Sequence, residues 1–164
     1  EEFKKSLSCD SRYIPALISL GVNYAKRGQL DDAVVEFKKA LALDTNQLQG
    51  HYNLGLAYEK LGKHREAIDE YNTVIRLDPD NHNTHYALGS LYQGIGLTDE
   101  AIEAFQKTVV LNPNMTPGYK NLVFLYLNNK NDRKMANHYL KELLKIDPAQ
   151  AQKEDIKQVL DRLK

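Results

Sequence analysis

From residue 48 onward, apolar residues recur every three or four positions rather than every second one, the spacing of a helix buried along one stripe. His51, Leu54, Gly55 and Tyr58 stand at i, i+3, i+4 and i+7, and Ala67, Ile68, Tyr71, Val74 and Ile75 form a second stripe. Gly62 lies between them and predicts a helix end, because glycine enters left-handed backbone without steric cost. The run "DPD" at 78–80 predicts the end of the second helix, since proline cannot continue the ladder. A link of three to five residues makes the pair antiparallel. Gly55 and Ala67 are small on the facing stripes and let the backbones approach, while Tyr58 and Tyr71 fill the remaining space. Neither helix buries its stripe alone, so further pairs must stack on this one.

The same letters return at a step of thirty-four residues. Leu20, Leu54, Leu88 and Leu122 align, as do Gly21, Gly55 and Gly89, with Val123 breaking that series. Tyr24, Tyr58, Tyr92 and Tyr126 are unbroken; Gly28, Gly62 and Gly96 follow, then Ala33, Ala67 and Ala101, then Phe37, Tyr71 and Phe105. Leu43, Leu77 and Leu111 close each unit, with Pro79 and Pro113 just beyond. Fixed-period similarity of this kind predicts an all-α fold, a right-handed α-solenoid of antiparallel helix pairs whose stability is roughly a sum of neighbour terms.

The spacing L-G-x2-Y, then A-x3-F or Y, then P, resembles the tetratricopeptide repeat family. On that resemblance the whole chain, residues 1–164, is a single domain with complete repeats at 14–47, 48–81 and 82–115 and a degenerate one at 116–149. In the degenerate unit the second-helix signals, Ala136 and Leu140, fall one residue late, which predicts a one-residue insertion within "NNKND" at 128–132. Residues 1–13 place Phe3 and Leu7 in the phase of a second helix, as in a truncated repeat. After Pro148, Ile156, Val159, Leu160 and Leu163 form another helical stripe opposite Lys153, Asp155, Lys157, Asp161 and Arg162. The resemblance makes residues 150–164 a capping helix.

Composition narrows the function. Twenty-two Lys and Arg balance twenty-two Asp and Glu, which argues against nucleic acid as a partner, because phosphate binding needs a cationic excess. No apolar run reaches a membrane span and "EEFKKSLSCD" lacks the core of a signal peptide, so no direct membrane insertion is expected and the compartment is left open. Cys9 is the single cysteine and can form neither an intrachain disulfide nor a thiolate metal site.

Candidate chemistry is sparse. His82 and His85 stand at i, i+3 with His51 one repeat away, but the nearby acids Asp78 and Asp80 fall in a turn and no Cys is close, so packing and surface roles are expected rather than a metal site. "GKH" at 62–64 lacks the glycine spacing and the Ser or Thr of a phosphate loop. "GIGLTD" at 94–99 lacks a third glycine and a preceding strand. Paired acids at Asp31–Asp32 and Asp99–Glu100 suit the positive start of a helix. With no nucleophile, base and orienter grouped, no enzyme, catalytic residue, metal or cofactor is expected.

What remains is a surface. In the resembled family the first helices line a concave groove that holds a partner segment. The positions here that face away from the core stripe are Ile18, Val22, Tyr52, Asn53, Leu56, Tyr86, Ser90, Lys120, Asn121 and Phe124. They are rich in apolar and aromatic side chains for a solvent-facing set, which predicts a groove for a protein or peptide partner. Family members that grip a C-terminal carboxylate place Lys and Arg on these helices; only Asn53 matches that pattern, so such a clamp is not expected. Two other expectations stand beside the scaffold. One is a structural module that self-associates through the truncated N-terminal repeat; the other is the targeting arm of a larger enzyme.

Overall fold

The computed structural model describes residues 14–163. Among the described residues there are nine α-helices, one 3₁₀ helix and no strand. The helices are α1 (Ile14–Lys26), α2 (Leu30–Leu43), α3 (Leu48–Lys60), α4 (His64–Leu77), α5 (His82–Gly94), α6 (Thr98–Leu111), α7 (Thr116–Asn128), α8 (Arg133–Ile146) and α9 (Glu154–Leu163). The chain divides into two compact units, Glu1–Thr84 and His85–Lys164, so that α5 begins three residues before the division. Cys9 and the helix expected around Phe3 and Leu7 lie outside the described residues.

In the first unit α1 packs on α2, α2 on α3, and α3 on α4. The contacts are as close as the small residues allow. A Cβ at Gly21 would meet Phe37 Cε1 at 2.5 Å, and one at Gly55 would meet Tyr71 Cε1 at 2.7 Å. Phe37 and Tyr71 are themselves buried to 1% and 0% exposure, so the ring cannot retreat. Ala33 and Ala67, both at 0%, keep the second helices equally near. The stripe ends before the helix does. Ala40 and Val74 are the last buried residues of α2 and α4, and Leu43 and Leu77, expected to close their units, are 42% and 37% exposed.

The second unit repeats the contact between Gly89 and Phe105, where a Cβ would approach ring carbons at 2.9 Å. Its degenerate repeat solves the same problem differently. Val123 occupies the glycine position and Leu140 the aromatic one, both buried, so a larger residue on α7 is matched by a smaller one on α8. Ile156 and Val159 of α9 are buried in the same core cluster as Leu122, Leu140 and Leu143. Arg162 of α9 donates to Asn128 Oδ1 at 2.7 Å, and Lys120 of α7 pairs with Asp155 at 2.5 Å.

Three interhelix turns are nearly identical. Gly28, Gly62 and Gly96 have φ of 77°, 73° and 82°, and the next residue donates its N–H back to Tyr24, Tyr58 or Tyr92 at 3.0, 2.9 and 2.9 Å. This six-residue closure satisfies a carbonyl that the helix end would leave unpaired. The fourth turn is longer by one residue: second helices start at 30, 64, 98 and then 133. Asn131 there takes φ of 50°, and the return bond runs from Asp132 N to Tyr126 O at 2.8 Å. Asp132 then accepts from Met135 N at 3.0 Å and caps α8, whereas the second helices begun after Gln29, Lys63 and Leu97 have no side-chain cap.

Candidate partner-binding face

In the first unit the non-core face of α1 and α3 is uneven. Val22, Asn53 and Leu56 line a depression of about 170 Å³ with Ala25, Ala57 and Phe37. Lys26 and Lys60 complete it, one from the last turn of each helix. The Asn53 Nδ2 donor is buried here without a hydrogen-bond partner; an unmet buried donor costs about 1–3 kcal/mol. A second depression of about 360 Å³ is lined by Pro15, Ile18, Ser19, Val22 and Lys26. A third, of about 270 Å³, lies between Tyr52, Val74 and the start of α5 at Asn83 and Thr84. Asn81 holds that start in place, accepting from Thr84 N at 3.1 Å and from Thr84 Oγ1 at 3.0 Å.

Tyr52 is half-buried rather than free in solvent. Its ring centroid lies 5.9 Å from that of Tyr71, whose hydroxyl donates to Glu59 at 2.9 Å. Burial first, and then the Glu59 carboxylate, push both phenol pKa values up, so neither ring ionises near neutrality. His51, beside it, is more than a packing residue. Nδ1 lies 2.6 Å from Glu70 and Nε2 lies 2.9 Å from the Thr45 carbonyl, tying α3 to α4 and to the loop before α3.

In the second unit Tyr86, Lys120, Asn121 and Phe124 line one depression of about 410 Å³, together with Thr116, Pro117 and the segment around Gln150. The Tyr86 ring lies 5.5 Å from Phe105. Asn121 Nδ2 reaches the Tyr86 hydroxyl at 3.5 Å, the long limit of a hydrogen bond. Gln150 is 5% exposed; its Nε2 donates to Asp147 at 2.6 Å and its Oε1 is buried without a partner.

Two of the ten expected positions differ from the pattern. Ile18 is 4% exposed: Ala16, Leu17 and Ile18 are all buried, three consecutive residues that span about 200° of the helix, so α1 is enclosed beyond a single stripe. Ser90 turns its hydroxyl onto its own helix, bonding the Tyr86 carbonyl at 3.0 Å, and lines none of these depressions. The other eight positions are half-buried, not open. Lys26 and Lys60 lie outside the ten expected positions, although they recur at the thirty-four-residue step that would have picked them out. Gln150 and Lys153 also lie outside them, and for these no repeat signal exists. Among the described residues no group of three His, Cys, Asp or Glu side chains could hold a metal. No described helix is long and apolar enough to cross a membrane.

Helix pairs recurring at a fixed step around a glycine–aromatic contact define an all-α helical-repeat protein. The chain belongs to the tetratricopeptide repeat family. A TPR repeat model matches residues 21–62, and tetratricopeptide repeat models match 49–81 and 70–103. Among solved structures it is similar to MamA, at 31% identity over 92% of this chain and 88% of that one, with a TM-score of 0.83. MamA from Desulfovibrio magneticus RS-1 is 26% identical over 90% of this chain and 83% of that one, TM-score 0.80. YrrB, a TPR protein with an unusual peptide-binding site, shares the fold at 21% identity over 99% of this chain and 91% of that one, TM-score 0.79. No curated protein matches the chain. Proteins of this fold typically mediate protein–protein interaction and are generally non-catalytic.

Proposed function

We propose that this chain is a non-catalytic scaffold that holds a segment of a partner protein against the non-core faces of its first helices. One observation carries the reading. Nine of the ten positions expected on that face, all but Ser90, line depressions in their own unit. A face that served only to cover a core would be filled by neighbouring side chains, as the glycine–aromatic contacts are. The lining mixes apolar walls with a few placed polar groups, the usual make-up of a recognition site. Asn53 and Asn121 can bond a partner's backbone, and Tyr52 and Tyr86 offer rigid aromatic contact. A net charge of zero favours a protein over a nucleic acid.

The test begins with a peptide selected from a displayed library on the full chain, its affinity then measured against Tyr52→Ala, Tyr86→Ala and the double variant. Melting curves confirm that each variant is folded. Losing an aromatic anchor costs roughly 2 kcal/mol, so at least one single variant should bind about tenfold or more weakly. Wild-type affinity in all three would remove the assignment.

A further inference from the structure

The depression between α1 and α3 has a chemistry of its own. Its walls, Val22, Ala25, Leu56 and Ala57, are apolar, and its polar side chains are Lys26, Lys60 and Asn53. No carboxylate lines it. Lys26 and Lys60 are exposed, and no salt bridge to either is found among the described residues. Asn53 contributes a buried N–H donor that no protein group accepts. Lys26, Lys60 and Asn53 thus line one cavity of about 170 Å³, too small for a folded element and large enough for one side chain.

The helix ends could have opposed an anion here, because both lysines stand in the last turns of their helices. A helix C-terminus carries about half a negative charge, against a full positive charge on each ammonium. The return bonds from Gln29 to Tyr24 and from Lys63 to Tyr58 also satisfy one carbonyl at each end. The balance is cationic.

We propose that this cavity is a subsite for an acidic side chain, the carboxylate of an Asp or Glu carried between apolar residues on the partner segment. The proposal rests on the first-helix face being the partner-binding face, and it changes the expected partner from an apolar segment to an acidic one. A carboxylate entering between Lys26 and Lys60 makes charge-assisted bonds to the ammoniums and, once the Asn53 amide turns toward it, supplies the acceptor that Nδ2 lacks. Its flanking apolar residues lie on Val22 and Leu56.

The experiment titrates the isotope-labelled full chain with acetyl-Leu-Glu-Leu-amide, with acetyl-Leu-Gln-Leu-amide and with sodium acetate, following amide resonances by NMR. The Glu peptide should shift the Asn53 side-chain amide and the Ala57 backbone amide, with an affinity about tenfold or more above that of the Gln peptide. Lys26→Gln with Lys60→Gln should abolish that difference without altering the fold, and added salt should reduce it. Equal affinities of the two peptides at these residues would overturn the acidic subsite while leaving the binding face intact. An equal response to acetate would overturn the role of the flanking apolar residues. No shift on α1 or α3 with either peptide would count against both the subsite and the face.

Discussion

At the residue scale, the closest constraint is the missing Cβ. Gly89 faces Phe105, which is fully buried, and a side chain placed there must displace a ring with no room to move. Gly89→Val should cost about 2–3 kcal/mol by overpacking, more than any gain in helix propensity returns. The fourth repeat shows the remedy, because Val123 is tolerated opposite Leu140. Adding Phe105→Leu to Gly89→Val should therefore recover about 1 kcal/mol or more, a favourable coupling measurable by a double-mutant cycle in denaturant. Additive losses would show that the aromatic is not what forbids the valine. This exchange was half legible in the sequence. The break at Val123 and the late phase of Leu140 are both legible as letters out of register, but that the two side chains are buried in one core cluster is shown only by the structure. His51 was less legible. Its phase gave a packing slot, whereas its bonds run to Glu70, nineteen residues away on another helix, and to a loop carbonyl that no side-chain pattern reports.

At the element scale, the turns and helices were the most legible part. Each signal (a glycine at φ near 77°, a tyrosine four residues earlier, an alanine five later) acts locally and is repeated three times. Burial depends on neighbours as well as phase, which is why Ile18 is enclosed and Leu43 is not. The attachment of α9 has an electrostatic component at Lys120–Asp155. The hydrogen bond from Lys120 comes first among the causes that hold the Asp155 carboxyl below its ordinary value. A lowered carboxyl pKa stabilises the folded state above the unfolded value, about 4, and that contribution is lost as pH falls through the folded value. Between pH 5 and 3 the wild type should therefore lose more thermal stability than Lys120→Met, which lacks the pair. Parallel melting-temperature profiles would show that the pair contributes nothing.

At the scale of the whole molecule, the proposed partner face lies in what the repeat leaves unfilled. The repeat fixes the core residue by residue, while the outer positions of the first helices vary between units: Val22, Leu56, Ser90 and Phe124 occupy one phase. That variation made the face recognisable as a face but gave no cavity, since a depression depends on side chains from two helices at once. Lys26, Lys60 and Asn53 come to line one depression only in three dimensions. The direct test of the proposed binding face is photo-crosslinking. A library-selected peptide carrying benzoylphenylalanine would be irradiated with the full chain, and the adducts mapped by mass spectrometry. Adducts are expected on first-helix residues such as Val22, Leu56 or Phe124. Adducts confined to the second helices, at the exposed Val35 or Val110, would contradict it.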